Sequence, residues 1–138
     1  MTTSLDVKRT EGVDAGRDWD GVKMTLHTTR RVQRDLVNSG RATGPVLYDA
    51  KRQVGYMFVR PGALGGALPG AVLITNGVVV VPRYPCSDVL DRRYWAVYGA
   101  RRPGPDSYAD HEALVSALER IARAGRLLDD VLFAGAAP

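Results

Sequence analysis

Apolar and polar positions along this chain form short runs that switch between the period of a strand and the period of a helix. The longest apolar stretch is Ala71-Val72-Leu73-Ile74-Thr75-Asn76-Gly77-Val78-Val79-Val80-Val81-Pro82. Two largely β-branched runs flank Asn76-Gly77, the pair that most readily takes both left-handed positions of a type I′ turn. The pattern predicts a hairpin, and the absence of polar alternation predicts strands covered on both faces. Pro82 has no amide hydrogen to give to a ladder and closes the second strand.

Upstream, residues 19–26 alternate, with Val22, Met24 and Leu26 on one side, which predicts a half-buried strand. Residues 28–39 place Val32 and Leu36 four apart, with Thr28 or Thr29 available as a cap and Gly40 as a left-handed stop; this predicts a helix. Arg30, Arg31 and Arg34 fall off the apolar stripe, on the side such a helix leaves to solvent. A second hairpin is predicted from residues 45–48 and 54–59 around Asp49-Ala50-Lys51-Arg52, where the Asp49 carboxylate can bond to the amide two residues on. The Gly/Pro-rich residues 60–70 lack the Gly-Lys-Ser/Thr of a phosphate-binding loop and are read as surface loop.

Beyond Pro82 the pattern loses regularity and then predicts a strand over residues 94–98 and a turn at Arg102-Pro103-Gly104-Pro105. Residues 107–124 form the clearest amphipathic helix. Asp106 or Ser107 can cap it, Asp110 and Glu112 favour its positive end, and Leu114, Leu118, Ile121 and Ala122 make the apolar stripe. Gly125 is expected to interrupt it before a short final helix over residues 127–133. Residues 1–18, mixed and polar, are expected to form a mobile arm. The sum is one α+β domain over residues 19–138, with a mainly antiparallel sheet of about five strands and two main helices packed on it.

Composition changes this picture little. The chain has 138 residues, 45% apolar and 25% charged, enough for a real core without metal or disulfide. No apolar run approaches the ~18–20 residues that cross a bilayer, and the first residues lack the pattern of a secretory signal, so a cytoplasmic protein is expected. Cys86 is the single cysteine, which excludes an intrachain disulfide and a multi-cysteine zinc site. The net charge is +4, carried by 16 Arg and only 3 Lys. Arginine suits phosphates and bases through its planar donors, although GC-rich codon usage produces the same excess.

Candidate chemistry is sparse. Cys86 is a nucleophile only if His27 or His111 reaches it in space. Asp18-Trp19-Asp20 is the one carboxylate pair whose spacing on a strand could hold a divalent ion. The fuller constellation is Arg83, Tyr84, Arg92, Arg93, Tyr94, Trp95, Tyr98, Arg101 and Arg102, in which arginines can neutralise phosphates while aromatics stack on bases. If Trp95 and a tyrosine face the core instead, only arginines at strand ends are left.

Gly44-Pro45-Val46-Leu47-Tyr48, then residues 54–63, then residues 71–82, the Trp95 strand and the helix after Asp106 resemble, in order, the later half of a primase/polymerase-like N-terminal domain of archaeo-eukaryotic type. The resemblance covers residues 44–124 and is closest to the short, degenerate versions of high-GC actinobacteria. It implies a related α+β fold and a nucleic-acid context. Members that polymerise carry an acidic metal-binding pair and a downstream histidine; here only Asp18 and Asp20 could supply the pair, and the loops after Gly44 hold no histidine. The expected function is therefore a non-catalytic binding or regulatory module. It needs neither metal nor cofactor and takes nucleic acid through Arg83, Arg92, Arg93, Tyr94, Trp95, Tyr98, Arg101 and Arg102. The alternatives are a protein-interaction subunit or homodimer, and third a reduced metal-dependent enzyme.

Overall fold

The computed structural model describes residues 10–82, 92–95 and 107–136. In chain order the elements are β1 (Thr10–Asp14), β2 (Asp20–Thr25), α1 (Leu26–Asn38), β3 (Val46–Asp49), β4 (Val54–Val59), β5 (Ala71–Ile74), β6 (Val78–Pro82), β7 (Arg93–Trp95) and α2 (His111–Ala136). Five strands form an antiparallel sheet in the order β5-β2-β4-β3-β7, while β1 and β6 form a separate two-stranded antiparallel sheet. The expected single α+β domain, with its five-stranded antiparallel sheet and two helices, is the architecture observed.

Strand alternation sorts the core into two layers. On one face of the large sheet Val22, Met24, Val46, Met57 and Val59 meet Leu26, Val32 and Leu36 of α1 and Leu114, Ala117 and Leu118 of α2. On the other face Leu47, Phe58 and Trp95 pack with Trp19, Ala15 and Val79 of β6. Trp19 is 1% exposed and stands edge-on to Phe58, with ring centroids 4.8 Å apart.

Each helix follows from its local residues. Thr25, one turn earlier than expected, caps α1: its side chain accepts the Thr28 amide at 3.1 Å. Gly40, with φ +69°, ends the helix as the pattern predicts; its amide bonds to Val37 O and that of Arg41 to Leu36 O, a Schellman pair. For α2 the cap is Asp110, neither Asp106 nor Ser107, and its carboxylate takes the Ala113 amide at 3.1 Å. Gly125 does not interrupt α2, which runs through it to Ala136. The cost of one glycine, about 1 kcal/mol, is too small to break a long helix. α1 and α2 run antiparallel, tied by Arg41–Asp110 at 3.3 Å near one end and by Arg120–Asp35 further along.

Three further expectations are corrected. The apolar runs on either side of Asn76-Gly77 do not pair with each other: β5 pairs with β2, and β6 with β1. A type I′ turn needs two positive φ angles, and here Gly77 (φ +88°) has one while Asn76 does not, so residues 75–77 carry the chain from one sheet to the other. Nor is the second run covered on both faces, since Val78 is 64% exposed beside buried Val79. Finally, residues 10–18 of the expected mobile arm form β1 and the turn into β2. Their own sequence has little strand preference; the partner strand β6 supplies it, from Thr10↔Pro82 to Asp14↔Val78. The β3–β4 hairpin forms as predicted, with one difference: Asp49 accepts the amide of Arg52, three residues on, at 3.0 Å.

Candidate nucleic-acid interface

Of the residues expected to form an arginine and aromatic surface, the structure describes Arg92, Arg93, Tyr94 and Trp95. Arg83, Tyr98, Arg101 and Arg102, with Tyr84 and Cys86, lie outside the described residues. Trp95 is 7% exposed and sits against Phe58 with centroids 6.0 Å apart, so it has no free face on which a base could stack. The Arg93 guanidinium turns inward, its Nε 3.3 Å from Oδ2 of buried Asp49. Arg92 is exposed, with φ +57°, and its carbonyl accepts the Ala50 amide at 2.9 Å. Tyr94 is half-buried on the helix side of β7 and meets Tyr48 edge-on at 5.4 Å.

Asp49 organises the opposite end of that row. It is 1% exposed, and its carboxylate gathers the Arg52 amide, the Arg52 guanidinium at 3.1 Å and Arg93. This is a structural cluster that closes the β3–β4 turn against β7. Burial pushes the neighbouring Tyr56 hydroxyl above its ordinary range, and the Asp49 charge adds to that.

The two carboxylates considered for a metal part company. Asp20 is buried and accepts the Gly62 amide at 2.9 Å, pinning the 60–70 loop, whereas Asp18 is exposed and its backbone carbonyl accepts the Tyr108 hydroxyl. Among the described residues no group of three or more His, Cys, Asp and Glu side chains could hold a metal ion. His27 is exposed in the first turn of α1, and His111 opens α2.

What the fold does assemble lies on α1. With Val32 and Leu36 buried, the 3.6-residue period turns Arg30, Arg31 and Arg34 outward, all exposed, with His27 one turn earlier. Asp35, the carboxylate on this helix, is held by Arg120 on the flank facing α2. On the other flank α1 overhangs β3, and Arg30, Gln33, Arg34, Val37, Asn38 and Tyr48 line an open cleft of about 300 Å³. The Arg30 guanidinium lies over the Tyr48 ring, 5.5 Å from its centroid, and the Tyr48 hydroxyl donates to Gln33 Oε1. Burial raises the Tyr48 hydroxyl's pKa while Arg30 pulls it back. Among the described residues that line the cleft, the charged side chains are Arg30 and Arg34, both cationic.

The helical period alone marks Arg30, Arg31 and Arg34 as an outward face and does not join Tyr48 or Gln33 to it. Residue alternation places Tyr48 on the same face of β3 as Val46, but nothing local tells which helix crosses above. Comparison with family models, curated proteins and solved structures finds no match. Among the described residues no helix is long and apolar enough to cross a membrane.

Proposed function

We propose that this protein is a binding module for nucleic acid, and that it works through the arginine face of α1. The observation that carries the reading is the set Arg30, Arg31 and Arg34: exposed on one helix and, among the described residues, without an ion-pair partner, beside a tyrosine-floored cleft whose described lining has no carboxylate. Unpaired guanidinia on a rigid helix neutralise phosphates with little loss of side-chain ion pairs, and each phosphate so engaged releases condensed counterions. The reading keeps the nucleic-acid context implied by the primase/polymerase-like resemblance and moves the contact surface from the β7 region to α1. It calls for no metal and no catalytic step.

Fluorescence anisotropy with single- and double-stranded oligonucleotides tests it. Affinity should fall steeply with salt, and Arg30→Ala, Arg31→Ala and Arg34→Ala should each lower affinity and reduce the salt slope by roughly one phosphate contact, about 0.7–0.9. No binding to either form at low salt would overturn the reading. A second reading, a protein-interaction subunit or homodimer, is favoured by one observation: β5 lies at the edge of the large sheet, and Val72 (61% exposed) and Val78 lie on either side of the crossing between sheets. Light scattering at high concentration separates the two readings, because self-association through this edge should fall when Val72 is replaced by Lys.

A further inference from the structure

We infer that the cleft between α1 and β3 is a pocket for a terminal phosphomonoester, as carried by the end of a nucleic-acid strand or by a mononucleotide. The inference rests on the nucleic-acid reading above and narrows it from a polyanion surface to an end-recognising site. Its basis is the donor set. Arg30 and Arg34 stand one turn apart on α1, and both line the cleft. Each guanidinium offers up to five N–H donors in a fixed fork, whereas an internal phosphodiester presents two non-bridging oxygens and one charge. A phosphomonoester presents three oxygens and close to two charges at neutral pH, which matches two guanidinia.

The remaining lining fits the rest of a nucleotide. Gln33 Oε1 is occupied by the Tyr48 hydroxyl, which leaves the Gln33 amide hydrogens as donors toward the cleft. Asn38 adds an amide that can both donate and accept, as the edge of a base requires. Val37, 60% exposed at the lip, offers apolar surface for a sugar or base. Arg30 is held in place by the Tyr48 ring beneath it, so less side-chain freedom is lost when a ligand binds. A volume of about 300 Å³ is at the small end of ligand sites and suits one nucleotide rather than a duplex.

The experiment compares one single-stranded oligonucleotide carrying a 5′-phosphate, a 3′-phosphate or only hydroxyl ends, by anisotropy at low salt. One phosphorylated end should bind at least about tenfold more tightly than the hydroxyl form, as expected for charge-assisted hydrogen bonds. A nucleoside monophosphate should compete for that increment, and Arg34→Ala should remove it. Arg31→Ala, outside the cleft, should weaken all three oligonucleotides alike. Arg34 is exposed, so an unchanged melting temperature confirms that its variant folds. Equal affinity for phosphate and hydroxyl ends overturns the end-recognition inference while leaving the polyanion reading intact, and so does an increment that survives Arg34→Ala. Binding to no oligonucleotide overturns both. Competition by a phosphoserine peptide as strong as by the nucleotide overturns the assignment to nucleic acid.

Discussion

The two faces of the large sheet are covered by different means, and the difference separates local from non-local information. The face under α1 and α2 is aliphatic, built from Val, Leu and Met of strands and helices whose periodicity is visible in the chain. The opposite face is aromatic, built on Trp19, Phe58 and Trp95, and its cover is a two-stranded sheet whose strands lie more than sixty residues apart. The first layer depends on amphipathic helices that carry their own pattern. The second depends on a pairing that neither β1 nor β6 announces alone. Polar groups follow the same division: the aliphatic layer leaves its arginines outside on α1, and the aromatic face carries buried Asp49 with Arg93 at its far end.

Substitutions in the two layers should sharpen this contrast. The largest loss is expected for Trp19→Ala, which empties the centre of the aromatic layer and should cost about 3–5 kcal/mol in chemical denaturation. If the aromatic layer is a mere lid, the loss will instead stay below about 1 kcal/mol. Gly55→Val attacks the aliphatic layer. A Cβ at Gly55 would lie 2.2 Å from Thr29 Oγ1 and 2.6 Å from Thr29 Cβ, so α1 must lift from β4. A cost of about 3 kcal/mol is expected, and Thr29→Ala should recover only part of it because the Thr29 Cβ is itself in the way. Full recovery would locate the clash at the hydroxyl alone.

Asp49→Ala comes next, at about 2 kcal/mol or more, because it removes the acceptor shared by Arg52 and Arg93 on the aromatic side. Asp49→Asn should cost less, since it keeps an acceptor for the Arg52 amide. Gly77→Val, at the crossing between sheets, should cost about 1 kcal/mol through its positive φ, with open space around the added side chain. A loss matching that of Gly55→Val would mean that the crossing is packed rather than merely bent.

The smallest effect is a pH dependence that touches both layers. Tyr48 under α1 and Tyr56 on the opposite face each have a hydroxyl pKa raised above 10.0 by burial. A raised folded-state value means that the native state holds its proton longer than the unfolded chain. That contribution is complete below about pH 10 and is lost as pH rises from there through the folded-state values. Denaturation midpoints should therefore fall on the alkaline side, and Tyr48→Phe and Tyr56→Phe should each flatten the fall. Asp49→Asn should flatten it at Tyr56 alone, because Asp49 is a secondary cause of that shift only.

By itself the sequence determined the local elements: the buried stripe of α1 at Val32 and Leu36, its Gly40 stop, the β3–β4 turn at Asp49 and the apolar face of α2. Each depends on residues within a few positions of one another, through helical or strand period, capping and turn chemistry. Tertiary structure decided the fates of the two runs around Asn76-Gly77, which look alike as sequence. One became an edge of the large sheet and the other joined residues 10–14, because strand pairing is settled by which distant backbone is at hand. It also turned Trp95 and Arg93 inward and brought Tyr48 beneath Arg30. Such a site depends on the crossing of a helix over a strand, and that crossing is fixed by packing across the whole sheet rather than by any stretch of the chain.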